Sequence, residues 1–452
     1  MACGDGAPTD VDASGPSSAV ATAVLSASAT SSSSVATDAT GNPSGGSDAT
    51  STGSDLPEGC GDGVVEPGVY CYGPVEIEGI GDIRQSIAVD FDDDGREEFV
   101  IDAWTEMEAV HVEFDGERFV ELARVTGGNF HEWSTQYDFD GDGSKDLLAL
   151  HDDLGNGSIT WYRNERGRLG ELWQESLLPA AREGGAVWGF GIPAPIDVDA
   201  DGSPEFVEGL YWGELGTPTG RAQLFRRVGE EFQPDGPPEK GWPLFGCSHV
   251  WYHALADLDE DGDEDLVVLD YSTACDPYPP EYDPDWYRFL VFLNEPSTQS
   301  LQLLGSFPTG AAQDGRVWAR DIDADGHVDL LFDTRQLPES SSSGLAFYRG
   351  RGDATFDEPV VLEDLPTPGL RFDLQSVAQV DDDLQLELLV TAEEGLYVVE
   401  EPHSSAIWTE IWPRPPSVRG VGDVNGDGLD DILLLDIQPG IGDRPLALVS
   451  AP

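Results

Sequence analysis

Short apolar runs of four or five residues recur along this chain, and each follows directly on an acidic stretch. Leu147-Leu148-Ala149-Leu150, Leu266-Val267-Val268-Leu269 and Ile432-Leu433-Leu434-Leu435 are three of them. Runs this short, closed by polar or acidic residues, predict buried strands rather than helices. Around residue 320 the pattern supplies four strands. One precedes the acidic stretch (Arg316 to Arg320) and one follows it (Leu330 to Phe332). A third covers Ala346 to Arg349, and a fourth, beyond a turn, runs from Thr355 to Val361.

The acidic stretch is itself a motif, D-x-D-x-D-G-x-x-D/E. It occurs at Asp90, Asp92, Asp94 and Glu98; at Asp138, Asp140, Asp142 and Asp146; and at Asp197, Asp199, Asp201 and Glu205. It returns at Asp257, Asp259, Asp261 and Asp265, at Asp321, Asp323, Asp325 and Asp329, and at Asp423, Asn425, Asp427 and Asp431. A degenerate copy at Gln379, Asp381, Asp383 and Glu387 has lost the first carboxylate and carries Leu384 in place of the glycine. The first positions lie 48, 59, 60, 64, 58 and 44 residues apart. A period of this size with strands in each unit predicts a propeller, here all-β with seven four-stranded blades. After Asp431 only 21 residues remain, enough for two strands. With the strand before that loop they make three, so the missing fourth strand of the last blade is expected from Val75 to Glu78, closing the ring.

Carboxylates at alternating positions converge when the chain curls around a point, and the glycine at position six permits the turn. The carboxylate at position nine is expected to close the ring of ligands. Many hard oxygen donors on a flexible loop suit Ca²⁺ better than Mg²⁺, and no soft donor is near. Five to six calcium sites are expected, with the Gln379 copy a structural turn without metal. One such loop alone could be a solvated acidic turn; the repetition argues against that for the set. An EF-hand is excluded, because its loop ends on a Glu at position twelve and is flanked by helices.

With its trailing turn from Tyr348 to Phe356, this loop motif resembles the FG-GAP/VCBS repeats, over roughly Asp90 to Asp436. These are the propeller repeats of integrin α-chain heads and many bacterial surface proteins. The resemblance implies a calcium loop between the first two strands of each blade, with the first strand innermost. Departures are Asn425, Glu98, Glu205 and the eroded Gln379 copy.

Composition adds a compartment. The formal charge is −64, from 87 acidic against 23 basic residues, and the loops account for only part of it. Such a surface repels nucleic acid and anionic lipid. Residues 1–57 hold no Lys, Arg or aromatic residue and read as a disordered Ser/Thr/Ala/Gly-rich tether. Ala2-Cys3-Gly4-Asp5 resembles the mature end of a bacterial lipoprotein, implying lipid on Cys3; the alternative is a free cysteine. Residues 58–74 form a short segment in which Cys60 and Cys71 bracket Gly61 to Gly68. It resembles the cysteine-rich repeats of myxobacterial surface proteins, although Tyr72 stands where those usually carry an acid. The propeller is expected over 75–452. Cys60, Cys71, Cys247 and Cys275 allow three connectivities, of which Cys60–Cys71 and Cys247–Cys275 are favoured. An extracytoplasmic monomer follows, secreted or held at the cell envelope, touching membrane only through an N-terminal lipid.

Signals of catalysis are weak. His249 and His253 are four apart on a strand, which separates them too far for easy chelation. Aromatic and basic residues cluster just before the loops: His131, Trp133, Trp188, Trp251, Tyr252, Arg316, Trp318 and Arg320. On innermost strands they would line the axis and bind a sugar or another small ligand, or simply pack. The Pro-rich insertion Ser272 to Trp286 is a second candidate contact surface. The sequence therefore favours a non-enzymatic module for a protein or glycan. A carbohydrate-active enzyme of the polysaccharide lyase type is the alternative, disfavoured by the scarcity of lysine.

Overall fold

The computed structural model describes residues 70–450 apart from 104–107, 127–131, 135–141, 154–155, 178–193, 203, 213–218, 229–230, 236–241, 244–248, 272–287, 309–316, 336–342, 363–371, 382, 384, 393–394, 401–405 and 439–441. Every regular element among them is a strand. The strands form seven antiparallel sheets that follow the chain. In blade 1 they are Ile83–Val89, Glu98–Ala103, Glu108–Phe114 and Phe119–Thr126, each hydrogen-bonded to the next. The first strands of blades 2 to 7 are Glu132–Ser134, Ala194–Ile196, His249–Ala256, Val317–Arg320, Phe372–Ala378 and Ser417–Gly422. Blade 3 adds a two-residue strand, Trp242–Pro243, on its third strand, Thr219–Val228.

The core lies between blades. One cluster joins Ile83, Phe99 and Val110 of blade 1 to Leu433 and Ala447 of blade 7. Another joins Val267 and Phe289 of blade 4 to Leu330 and Phe332 of blade 5, with Phe289 and Phe332 stacked at 4.7 Å. This explains the apolar runs. The second strand of a blade is covered on both faces by its neighbours, so Glu98–Ala103 and Glu387–Ala392 are buried at every position. Alternation, the usual mark of a half-buried strand, is therefore lost there. Several first strands keep mixed burial, as Ile83–Val89 and Phe372–Ala378 do, because one edge faces the axis. Several carry a bulge, as between Ile83 and Gln85 and between Val250 and His253, where Trp251 and Tyr252 fall.

The ring closes as the residue count required, with one correction. The closing strand is Tyr72–Glu76, not Val75 to Glu78, and it pairs with the last strand, Gly442–Ser450, in the register Val75 to Ala447. The shift follows from anchoring. Tyr72 packs against the cluster shared by blades 6 and 7, and its hydroxyl donates to the Asp430 carbonyl at 2.9 Å. Ile77 follows the strand and is buried, while Glu78 already lies in a turn.

Blades 7 and 1 meet without room for a side chain at Gly422. A Cβ there would stand 2.2 Å from Ala88 Cβ and 2.3 Å from Glu97 Oε2. Gly422→Ala is expected to cost about 1–3 kcal/mol, as overpacking of a closed core does. It should appear as a lower denaturation midpoint with an unchanged m-value.

Candidate metal centres and the axial cavity

Each described acidic loop joins the first two strands of its blade, as the resemblance implied. Within it the carboxylates divide their work by position. The position-one Asp folds the loop. Asp90 Oδ1 and Oδ2 accept from the amides of Asp94 and Gly95 at 3.1 and 2.9 Å. Asp197, Asp257, Asp321 and Asp423 repeat this pair of bonds with their own fifth and sixth residues. The position-six glycine is left-handed throughout, from φ +86° at Gly95 to +98° at Gly262. Position four is left-handed too, at Asp93, Ala200, Glu260 and Ala324, which the motif did not reveal.

Position nine has a role beyond the one expected of it. Asp265 Oδ2 accepts from the Leu258 amide and its Oδ1 from the Asn294 amide, both at 2.9 Å. Asp329 does the same with Ile322 and Gly350, and Asp431 with Val424 and Ser450. These carboxylates are fully buried and tie the loop to the end of the third strand. Burial pushes their pKa up, to about 7 for Asp265 and Asp431 and about 6 for Asp329, against the pull of those amides. Glu205 rises to about 7 for the same reason.

The loops fit a cation. In four of them, side-chain oxygens of positions one and three converge with a third carboxylate within 4.8 Å: Glu98, Glu205, Asp265 or Asp325. Asp199 Oδ1 and Asp259 Oδ1, both at position three, are buried and accept no hydrogen bond. A bare buried carboxylate oxygen is costly unless a positive charge faces it. Arginine supplies part of that charge in three blades, Arg96 pairing with Asp94 at 2.7 Å in the first. Arg226 lies 3.7 Å from Asp199 and 3.6 Å from Glu205, and Arg349 pairs with Asp323 and Asp325. Of the second loop, Asp142 and Asp146 are described and Asp138 and Asp140 are not. Asp142 accepts from the Ser144 amide, and Asp146 from the Asn164 amide.

Two loops differ. In the Asn425 copy, the Asn425 amide donates to Asp427 Oδ2 at 3.1 Å and to Ser450, whose hydroxyl bonds Asp427 and Asp431. In the Gln379 copy, Asp381, Asp383 and Glu387 still converge. Gln379 Nε2, however, donates to the backbone carbonyls of Asp381 and Asp383 at 2.8 Å, where the other loops carry a position-one carboxylate. Burial and the neighbouring carboxylates push Glu387 up to about 8.

Neighbouring blades are stitched through the same loops by residues the motif did not mark. Asn164 Nδ2 donates to Phe91 O in blade 1, and Asn294 Nδ2 to Asp197 O in blade 3. Both asparagines precede a glutamate at the end of a third strand, and that Asn-Glu recurrence was the available signal. Position eight reaches across as well. Glu97 exchanges bonds with the Asp423 backbone, and Asp430 with that of Gln379.

A cavity of about 850 Å³ runs along the axis, lined by first strands and position-eight residues. Of the eight aromatic and basic candidates, Trp318 and Arg320 line it. Trp133, Trp251 and Tyr252 lie on first strands; His131, Trp188 and Arg316 fall outside the described residues. So do Cys3, Cys60, Cys247, Cys275 and the Pro-rich insertion. His253 lines the cavity, and burial lowers its pKa to about 4, so it stays neutral.

An FG-GAP-like repeat profile matches residues 138–208. No curated protein matches. Several solved structures are distantly similar. A rhamnogalacturonan lyase of family PL11 from Bacillus licheniformis is 13% identical, covering 85% of this chain and 73% of that one at a TM-score of 0.41. The Dos1 propeller is 11% identical, covering 82% and 77% at 0.42. The rhamnogalacturonan lyase YesW is 11% identical, covering 86% and 74% at 0.41. The chain is a seven-bladed β-propeller of four-stranded blades that carries an FG-GAP-like repeat.

Proposed function

We propose that this chain is a non-enzymatic, calcium-stabilised extracytoplasmic propeller that binds a protein or a glycan. One observation carries the calcium part: the convergence of three carboxylates around bare buried oxygens, repeated from blade to blade. Calcium is the ion because every donor is a hard oxygen and the loops are flexible. Its role is structural. The ion neutralises a cluster of carboxylates that otherwise repel one another, and so favours the folded state. Tethering by lipid at Cys3 and the disulfides Cys60–Cys71 and Cys247–Cys275 complete the reading of an exported protein.

Loop rank gives a first check. Asp142→Ala is expected to lower the calcium-loaded melting midpoint, because Asp142 belongs to a complete loop. Asp383→Ala should leave it in place, because Gln379 already bridges that loop. Equal shifts in calorimetry would contradict the assignment.

The binding part is tested by applying the calcium-loaded chain to a glycan array, beside a screen for unsaturated uronate products. Retention on the array without product is expected. Accumulating product would overturn the non-enzymatic reading in favour of a lyase.

A further inference from the structure

The axial cavity sets apolar walls against a charged rim. Ile87, Leu255, Val317 and Val421, all on or beside first strands, make the walls. The cavity's charged lining residues are Glu97, Asp257, Glu264, Asp321, Asp430 and Arg320. The two signs are held apart. The Arg320 side chain takes part in no hydrogen bond and no ion pair within 4.0 Å among the described residues. Its charge is nonetheless felt by Glu264 and Asp430. In a chain with 23 basic against 87 acidic residues, an arginine in a central cavity with no ion pair within 4.0 Å among the described residues is unusual.

The carboxylates are fixed but not used up. Glu97 Oε2 accepts from the Asp423 amide at 2.9 Å, and Asp430 Oδ2 from the Gln379 amide at 2.8 Å. Each bond locks its carboxylate between blades and leaves the second oxygen as an acceptor. Trp318 lines the same cavity, its ring half-buried against the cluster shared by blades 5 and 6. The rim thus offers fixed acceptors, a guanidinium with five donors, and an aromatic face.

Charge decides what fits. An anionic ligand would satisfy Arg320 but meet five acidic residues, Glu97, Asp257, Glu264, Asp321 and Asp430. A cationic one would satisfy the carboxylates but meet Arg320. A hydroxyl donates and accepts at once, so vicinal hydroxyls can bridge the two signs with no net charge to bury. We infer that the axial cavity binds a neutral saccharide unit, its hydroxyls between Arg320 and the Glu97 and Asp430 carboxylates and its apolar face on Trp318. The volume lies within the range of ordinary small-ligand sites. This rests on the interaction-module reading and names the ligand class and place.

The test uses the full chain with calcium. Glucose, galactose, mannose and their disaccharides are titrated by calorimetry and saturation-transfer NMR, with galacturonate and glucosamine as charged controls. Saturable binding of a neutral sugar is expected, with galacturonate and glucosamine each about tenfold weaker or more. Arg320→Met and Trp318→Leu should each weaken it about tenfold, the scale of a lost hydrogen bond to a charged group or of an aromatic contact, Arg320→Met at an unchanged melting midpoint. Absence of saturable binding by every neutral sugar overturns the inference, as does preference for a charged control. Glycan-array retention unaffected by Arg320→Met would leave the module reading standing and refute the axial site. An empty array together with no titration signal would remove glycan binding altogether.

Discussion

Chelating divalent cations at about pH 8 is expected to lower the thermal midpoint by on the order of 10 °C, and acidifying the chelated protein to about pH 5 to raise it again. The first effect is mass action. A site occupied at one hundred times its dissociation constant adds about 2.7 kcal/mol, and several loops hold the geometry. The second effect is a proton linkage. Burial raises Glu205, Asp265 and Asp431 to about 7 and Glu387 to about 8, from ordinary values of 4.5 for Glu and 3.8 for Asp. Between about pH 4 and those values the folded chain holds protons that the unfolded chain has lost. Stability from this source is therefore full below about pH 4 and falls as pH climbs to 8. Each such carboxylate contributes about 1.4 kcal/mol per pH unit over that window. With calcium bound, the sign reverses. Loop carboxylates are then held ionised below their ordinary range, so their stabilisation is present above about pH 4.5 and lost on acidification. Calorimetry at both pH values, with calcium and with EDTA, reads all four corners. Parallel pH dependence in the two conditions would refute the linkage.

Much of this architecture was legible because it repeats. The loop motif places a turn between two strands in every blade, and its spacing counts the blades. The apolar runs mark second strands for a physical reason: adjacent sheets cover both faces, so Leu266 to Leu269 need not alternate. Ring closure followed from counting strands after Asp431. Its register did not, because the closing strand is set by anchors such as the Tyr72 hydroxyl on Asp430 O, which no local pattern encodes.

The site was legible in its donors and not in their division of labour. D-x-D-x-D-G-x-x-D treats its carboxylates alike. Only the fold shows position one satisfying loop amides, position three left bare at Asp199 and Asp259, and position nine turned to backbone. Partners such as Asn294, far downstream of the loop in sequence, become neighbours only once the third strand returns. The same holds for Glu97 and Asp430, whose amide partners lie on the preceding blade. The belt of loops is thus a fastening between blades as well as a set of candidate metal centres.

That division predicts opposite responses from two carboxylates six residues apart. Asp265→Ala should lower the melting midpoint in EDTA and in calcium alike. It strips two buried amides, of Leu258 and Asn294, of their acceptor, and each such loss costs about 1–3 kcal/mol. Asp259→Asn should behave differently. In EDTA it removes a charge that burial and the neighbouring Asp261 and Asp257 already oppose, so the midpoint should hold or rise. The Asp261 amide keeps Asp257 as an acceptor. In calcium the same substitution removes an anionic ligand, and the gain on adding the ion should shrink. The two variants, melted in both conditions, separate fastening from coordination. If Asp259→Asn lowers the EDTA midpoint as much as Asp265→Ala does, position three is structural and the bare oxygen is no mark of a metal site.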